Sequence, residues 1–251
     1  MVKKGQILNN RTGDESIESI LGSFPIDRKR PVADQIYDAL KDAIITTRLL
    51  PGSAISENNI CDSIGVSRTP VRAAMGRLSE EGLIDVFPQR GSFVSKISIK
   101  GITDDQFVRR TLEVAILREA ALHWTPALTA QARQAIQQQT DAIVSRDKKS
   151  FFEADSRLHQ IFAIAANLQG VWSTVMSLRT KVSRFDNLLG RPERLPLVVT
   201  EHQAIVDALE GGDFALAEQR LLAHLNKGFN IVSSLPQTYA PYFSDLPRND
   251  G

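Results

Sequence analysis

Several features are missing from this sequence of 251 residues, and each absence excludes a class of protein. The single cysteine, Cys61, excludes an internal disulfide. No stretch approaches the roughly 20 uncharged apolar residues that a membrane-spanning helix needs. A secretory signal requires an apolar run and a small-residue cleavage site after its basic residues. Residues 1–10 contain lysines, but neither feature follows them. We therefore expect a soluble cytoplasmic protein without a membrane partner.

The sequence also has little net charge and lacks the common enzyme motifs. The formal net charge is +1, although the segment from Arg28 to Lys100 contains eleven Lys or Arg against eight Asp or Glu. This local excess permits a nucleic-acid partner without proving one. No GxSxG, HExxH or phosphate-binding glycine loop is present, so the sequence offers no familiar catalytic motif.

The spacing of the apolar residues divides the chain into three blocks and a tail. Residues 1–27 are polar apart from one short apolar patch, so we expect a loose N-terminal arm. Residues 28–99 combine short helical patterns with turns, whereas residues 102–235 contain helical patterns alone. Residues 236–251 form a C-terminal tail to which the sequence assigns no role.

The second block begins with two predicted helices. Ile36, Leu40 and Ile44 have helical spacing and are followed by a Pro-Gly turn. Ser56 is a suitable N-cap for a short second helix, and Gly65 can adopt the left-handed conformation that ends it. A third helix must follow at once, because the turn between them is tight.

The third helix and a β-hairpin complete this block. The sequence predicts that the helix starts at Thr69, whose hydroxyl can cap it, with Pro70 in the first turn. Strands at 84–87 and 92–97 flank a turn at 88–91 that contains a glycine. Three helices followed by such a hairpin are the order of a winged helix-turn-helix.

The exposed face of the third helix is cationic, because no acidic residue precedes Glu80 on it. A short helix fits the major groove of DNA, and a thin hairpin with a basic tip can approach the adjacent backbone. Arg68 and Arg72 lie one turn apart and can both point into the groove. The alternative is that the segment SRTPVR only caps a helix whose arginines are solvated.

The run PGSAISENNICDSIGVSRTPVRAAMGRLSEEGLIDVFPQRGSFV, residues 51–94, closely resembles the DNA-binding domain of the GntR family of transcription regulators. The resemblance implies DNA-binding roles for eight residues, namely Ser56, Glu57, Ser67, Arg68, Thr69, Arg72, Arg90 and Gly91. In this family, Arg68 and Arg72 would contact bases or nearby phosphates, Ser67 and Thr69 would hold phosphates, and Arg90 would place the wing. A double-stranded DNA operator is the implied partner.

Two positions depart from the family's pattern. Thr47 stands where the family usually has a helix-ending glycine, and Ala73 stands where many members have a glutamate. Neither change removes an implied DNA contact. The departures leave the operator sequence open but not the prediction of DNA binding.

The third block predicts an all-α domain, so the whole chain is mainly α. Its periodicity, caps and prolines separate six helical stretches, near residues 103–123, 129–145, 148–167, 169–189, 192–210 and 213–233. The connections between them are short. We therefore expect an antiparallel bundle of about six helices.

Three histidines and an aspartate of this block occupy positions that the apolar period assigns to the interior. Asp155 and His159 lie one turn apart on the inner side of the third stretch, and His202 and His224 lie in the apolar stripes of the fifth and sixth. Each histidine alone could be a satisfied core residue, as we expect for His123. Burying all these groups without partners costs several kcal/mol, which a divalent cation such as zinc, nickel, iron or manganese would offset.

This block also resembles the FCD ligand-binding domain of the FadR-type GntR regulators, through ADSRLHQIFAIAAN and EHQAIVDALEGGDFALAEQRLLAHL. By this resemblance Asp155, His159, His202 and His224 match the family's four metal ligands, and none is substituted. The most suitable ion is zinc.

The same resemblance implies that the metal site receives the carboxylate of a small organic acid, helped by pocket arginines. Arg109 matches the family's pocket arginine, although the polar residues around it also fit a surface position. Arg184 and Asn167 are further candidates for effector binding, and Asn167 could instead cap its helix.

Two other functions remain as alternatives. An enzyme could use such a cation to activate water, but we find no additional inward Glu or Asp in the pocket stripes to act as general acid or base. A purely structural cation would leave regulation to a protein partner. The function that we predict is a homodimeric transcription repressor that binds a palindromic operator. The direction of the effector's action stays open at this point.

Overall fold

A computed structural model of the chain describes residues 15–22, 25–227, 235 and 237–246. These residues fall into two compact units. Unit 1 draws on Met1–Lys100, Ser183–Gly190 and Pro236–Gly251, and unit 2 on Gly101–Val182 and Arg191–Leu235. Residues 183–190, which we predicted as part of the helical block, and residues 237–246 of the predicted tail are thus grouped with unit 1.

We expected a loose arm over residues 1–27. For residues 17–21 of that range this expectation is wrong. Helix α1, Ile17–Leu21, begins at the N-cap Ser16 and buries Ile17, Ile20 and Leu21 in the core of unit 1. The spacing of these three residues places them on one face. The short apolar patch is therefore a docked helical turn.

Three further helices of unit 1 form the helix-turn-helix. They are α2, Val32–Ile45, α3, Glu57–Ile64, and α4, Arg68–Glu80. Ser56 caps α3 by accepting a hydrogen bond from the Asn59 backbone N–H at 3.3 Å, and Gly65 ends it with φ +65°, as predicted. Helix α4 begins at Arg68 with Ser67 as N-cap, so the predicted N-cap, Thr69, is wrong by two residues. Thr69 and Pro70 instead occupy the first turn, where the missing proline N–H costs no helical hydrogen bond.

The wing is a small antiparallel sheet with the order β1-β3-β2. Its strands are β1, Ala54–Ile55, β2, Ile84–Phe87, and β3, Gly91–Val94. The predicted hairpin is present, with Phe87 opposite Gly91, but its second strand ends at Val94 rather than at residue 97. Strand β1 was not predicted, because two residues that pair with a distant strand leave no local alternation to read.

The C-terminal segment that was left as a tail has a defined place in unit 1. After a 3-10 helix at Gln237–Tyr242, Phe243 is buried and forms a parallel bridge with Ile97. The carboxylate of Asp245 accepts hydrogen bonds from the backbone N–H groups of Ile99 at 2.8 Å and Lys100 at 3.0 Å. Asp245 thus caps the helix that starts at Ile99.

The remaining helices confirm the mainly α fold. They are α5, Ile99–Leu122, α6, Pro126–Val144, α7, Lys148–Ala165, α8, Gln169–Leu189, α9, Leu195–Glu210, and α10, Phe214–Lys227. A 3-10 turn at Pro192–Arg194 precedes α9. The helices of unit 2 pack around apolar side chains that include Phe151, Leu158 and Phe162. None of the helices in the described ranges is long and apolar enough to cross a membrane.

Candidate metal centre and nucleic-acid interface

Three helices of unit 2 bring three histidines together. Helix α7 supplies His159, α9 supplies His202 and α10 supplies His224. One nitrogen of each imidazole lies within 4.8 Å of the corresponding nitrogens of the other two. Asp155, one turn before His159 on α7, lies at the same place. The structure therefore groups the three histidines that we predicted as metal ligands, and Asp155 lies beside His202.

The distances within this group are short. The Nε2 atoms of His202 and His224 are 3.4 Å apart. The Nε2 atom of His202 also lies 3.6 Å from Oδ1 of Asp155. The His159 ring centroid lies 5.3 Å from that of His202 and 5.7 Å from that of His224. The three imidazoles thus converge, and the carboxylate of Asp155 adjoins one of them.

The opposite nitrogen of each ring has a polar partner. Nδ1 of His202 lies 2.9 Å from Oε1 of Gln139, and Nδ1 of His224 lies 2.8 Å from Oε2 of Glu201. Nδ1 of His159 is in contact with the carboxylate of Glu113. Partners on Nδ1 leave Nε2 of each ring for a ligand.

Buried charges surround the site. The Nε atom of Arg109 lies 2.5 Å from Oε1 of Glu113. The guanidinium of Arg179 lies 3.5 Å from Glu113 and is in direct contact with Asp155. Both carboxylates are therefore nearly removed from solvent, and arginines balance their negative charges.

These surroundings determine the charge states of the acidic groups. Burial alone would raise the pKa of Asp155, but the Arg179 guanidinium and the three neighbouring histidines together outweigh burial and hold that pKa well below its usual range. Burial opposes ionisation of Glu113 in the same way, and Arg109 and Arg179 help to hold its pKa well below the usual range. Hydrogen bonds from His224, Arg194 and Lys227 outweigh burial and lower the pKa of Glu201 to about 2. All three carboxylates are ionised near neutral pH.

The histidines have the opposite tendency. Burial lowers the pKa of His159 to about 4, although Glu113 opposes the shift. Burial and the neighbouring His224 lower the pKa of His202 well below its usual range. Neutral imidazoles have a free lone pair, so these rings are ready to act as metal ligands at neutral pH.

The donor set fits a divalent metal. Both ring nitrogens of His159 are buried, and neither has a hydrogen-bond partner among the described residues, although Nδ1 makes an ion-pair contact with Glu113. Such an uncompensated polar atom is costly unless another species satisfies it. Three imidazole nitrogens with one carboxylate suit zinc and its neighbours among the divalent transition metals.

The three predicted effector-binding residues have different surroundings. Arg109 lies at the histidine site through its contact with Glu113. Asn167 is exposed and has φ +54°, and its backbone N–H bonds to the carbonyl of Ile164, which is the helix-ending role left open by the sequence. Arg184 is buried in unit 1 and donates to the carbonyl of Ser95. The structure therefore groups Arg109 alone of the three with the histidines.

Several charged residues of the site, Glu113, Arg179 and Glu201, were not predicted from the sequence. The statement that no additional inward acid exists is wrong, because Glu113 is buried beside His159. Arg179 was not considered. A signal existed for two of them: Glu113 follows Ile102 and Gln106 at helical spacing, and Arg179 lies between the buried Val175 and Val182. Charged residues inside an apolar stripe deserve the same suspicion as histidines.

The helix-turn-helix presents a separate cationic surface on unit 1. Ser67, Arg68, Thr69 and Arg72 are exposed at the start of α4. Nε of Arg72 bonds to Oε2 of Glu57 on α3 at 3.0 Å. This ion pair engages Nε, and a guanidinium has further N–H donors on its two terminal nitrogens.

Arg77 on the same helix is committed differently. Its guanidinium stacks 3.8 Å from the Tyr37 ring centre and bonds to Oδ1 of Asp34 at 2.6 Å. Arg77 therefore joins α4 to α2. Its position next to the cationic face does not make it part of the DNA-reading set.

The tip of the wing combines a cation with an exposed ring. Arg90 lies 5.8 Å from the ring centre of Phe87, and both side chains are exposed. Gly91 has φ +98°, a conformation that a side chain would strain. The predicted wing residues are thus at the tip of the hairpin. This arrangement suits an approach to the DNA backbone.

Family models match both units. A model of the bacterial regulatory proteins of the gntR family matches residues 32–94, and a model of the FCD domain matches residues 106–227. The first range contains the helix-turn-helix and the wing, and the second contains the histidine site. Both matches agree with the resemblances drawn from the sequence motifs.

Individual relatives extend this similarity over most of the chain. The HTH-type transcriptional repressor RspR of Escherichia coli (strain K12) is 34% identical over 221 residues, which cover 86% of this chain and 95% of the relative. The galactonate operon transcriptional repressor of the same strain is 26% identical over 213 residues, covering 75% of this chain and 91% of the relative. A GntR transcriptional regulator from Rhodococcus sp. RHA1 has a solved structure with a TM-score of 0.68 and 25% identity, covering 81% of this chain and 98% of that one.

Proposed function

The chain belongs to the GntR family of DNA-binding transcription regulators, and from this premise we propose that it is a repressor controlled by a divalent metal and a small organic acid. Members of this family are transcription regulators, not enzymes. The observation that supports the proposal most strongly is the convergence of His159, His202 and His224 in the FCD domain.

Repression is supported by the relatives. RspR and the galactonate operon regulator are both named as repressors. We propose that the chain binds a palindromic operator as a homodimer, because two recognition helices related by a two-fold axis address two half-sites. Arg68 and Arg72 would read the bases or nearby phosphates, Ser67 and Thr69 would hold phosphates, and Arg90 with Gly91 would place the wing.

The metal would be held by Asp155 together with His159, His202 and His224. Zinc is our first choice, because it accepts imidazole and carboxylate ligands, and nickel, manganese and iron are the other ions to test. When bound, the cation would supply a Lewis acid that attracts an anionic ligand. The buried, unpartnered Nε2 of His159 supports the presence of such an ion.

The proposed effector is a small organic acid. Arg109 and Arg179 bring two guanidinium groups to the metal site, and both are tied to Glu113. A carboxylate effector would gain from both the metal and these cations.

Control requires that the effector prefer one of two states. We propose that the acid prefers the state with the lower operator affinity, so that its binding relieves repression. The shift cannot exceed the difference between the effector's affinities for the two states. Metal and acid would therefore act on one equilibrium.

The proposal is tested by thermal melting of the purified protein with a panel of small organic acids. The melts are run on protein as purified, after chelation and after zinc is restored. An acid present at a hundred times its dissociation constant should stabilise the folded state by about 2.7 kcal/mol. Stabilisation of the zinc-loaded protein alone supports the proposal. A melt that falls on chelation but responds to no acid would indicate a structural metal and contradict the effector.

A further inference from the structure

Two glutamates near the histidine site have matching surroundings. Glu113 contacts Nδ1 of His159 and two cations, Arg109 and Arg179. Glu201 lies 2.8 Å from Nδ1 of His224, and both it and Glu113 lie on helices other than that of the histidine they contact. Neither glutamate belongs to the ligand set. Each therefore connects one proposed ligand to neighbouring parts of the bundle.

The cations at Glu201 are well defined. Arg194 forms two hydrogen bonds to it, with NH1 to Oε1 and NH2 to Oε2 both at 3.0 Å. The Nζ atom of Lys227 lies 3.0 Å from Oε1. These contacts come from the 3-10 turn before α9 and from the end of α10. They hold the carboxylate in position, and its Oε2 is shared between Arg194 and His224.

We propose that Glu201 is a positioning residue whose hydrogen bond fixes His224 as the Nδ1–H tautomer, so that this ring offers Nε2 to the metal, and that Glu113 acts in the same way on His159 through its ion-pair contact. The inference rests on the proposed metal site and adds residues that the ligand set does not contain. Glu201 is also the residue directly before His202 on α9. One turn of α9 thus supplies both a ligand and the residue that orients the ligand on α10.

The physical reason is the distribution of donors and acceptors. A neutral imidazole has one N–H and one lone pair, whereas an ionised carboxylate can only accept. The tautomer with a proton on Nε2 would point a lone pair at the carboxylate and an N–H at the metal position. The carboxylate therefore selects the tautomer with the lone pair on Nε2, as outer partners of metal-bound histidines generally do.

Gln139 provides an internal contrast. It contacts Nδ1 of His202 through Oε1 at 2.9 Å, but its own Nε2 is buried without a hydrogen-bond partner in the described structure. An amide can present either its oxygen or its nitrogen after rotation. Gln139 therefore does not impose one tautomer on His202 as strongly as the two carboxylates do on their histidines.

The test compares Glu201→Gln and Glu201→Leu with wild type and with the control Glu218→Gln. Glu218 is a surface carboxylate on α10 that pairs with Arg118. Its replacement by glutamine removes the same negative charge without removing a contact with a histidine. Zinc affinity is measured by competition with a chromophoric chelator. We expect an affinity loss of about 10- to 100-fold for both Glu201 variants and less than 2-fold for the control.

A second readout separates positioning from general damage. Long-range ¹H–¹⁵N spectra report the tautomer of each histidine ring in the metal-free and zinc-loaded wild-type protein. We expect Nδ1–H tautomers for His159 and His224 before zinc is added, and zinc on Nε2 afterwards. In Glu201→Gln, the His224 signal should show loss of the single tautomer while the His159 signal is unchanged.

The outcomes distinguish this inference from the proposed function. A wild-type protein that binds no zinc would overturn the metal site and the inference with it. A wild type that binds zinc while both Glu201 variants keep its affinity, or one that holds His224 as the Nε2–H tautomer, would overturn the inference alone. Weaker binding together with a changed His224 tautomer in Glu201→Gln would support it.

Discussion

Replacing Arg72 with alanine should weaken operator binding and leave the folded state unchanged. The Arg72 side chain is 64% exposed, and its ion pair with Glu57 is exposed to solvent as well. Such a surface pair contributes little to stability, so the free energy of unfolding should change by no more than about 0.5 kcal/mol. The loss of a base or phosphate contact from the terminal guanidinium nitrogens should cost about 1 to 3 kcal/mol of binding. That range corresponds to a roughly 5- to 150-fold rise in Kd.

The matched control is Arg77→Ala on the same helix. Both substitutions remove one positive charge from α4, so they reduce the general attraction to DNA similarly. Arg77 is held by Asp34 and Tyr37, and its loss should therefore lower the melting temperature. Fluorescence anisotropy at fixed salt would use a labelled duplex selected from a random library by the wild-type protein. Equal affinity losses for the two variants would refute the assignment of Arg72 as a reading residue.

Four further outcomes follow from the structure. Thr47→Gly should stabilise the protein by about 0.5 to 1 kcal/mol in denaturant titrations, because the β-branched Thr47 is strained at φ +58°. This strain exceeds the conformational entropy that a glycine would lose on folding. A loss of stability would contradict this reasoning. Asp245→Ala should lower the free energy of unfolding by about 1 kcal/mol, because it removes the cap of α5. Rapid hydrogen exchange of the Ile99 amide in the wild-type protein would contradict that cap. His202→Ala should not retain zinc after dialysis, and a normal metal content would remove His202 from the ligand set. Light scattering of the operator complex should report a dimer, and a monomer bound to DNA would contradict the proposed assembly.

The parts of the fold that depend on neighbours in sequence could be predicted. The cap at Ser56 and the stop at Gly65 act within a few residues, so the limits of α3 follow from the sequence. The start of α4 was misplaced, since Ser67 and Thr69 are both suitable N-caps and only the backbone decides between them. The periodicity of the helical block likewise predicts its helices, because each buries one face.

The parts that depend on distant partners could not be predicted. Strand β1 exists because Ala54 and Ile55 pair with β3, and Asp245 caps a helix that begins almost 150 residues earlier in the chain. The same reason applies to the candidate site. The positions of the histidines follow from helical spacing, whereas the partners of their outer nitrogens come from other helices. Glu113 was overlooked because its inward position becomes meaningful only when α7 supplies His159.

The most direct test of the account measures operator affinity in one protein preparation under three conditions. The protein is stripped of metal, reloaded with zinc, and reloaded in the presence of the acid that stabilises it in the melting experiment. The account predicts that the acid lowers operator affinity in the zinc-loaded protein and has no effect on the stripped protein or on His202→Ala. An acid effect of equal size without metal, or no effect with it, would contradict control through the histidine site.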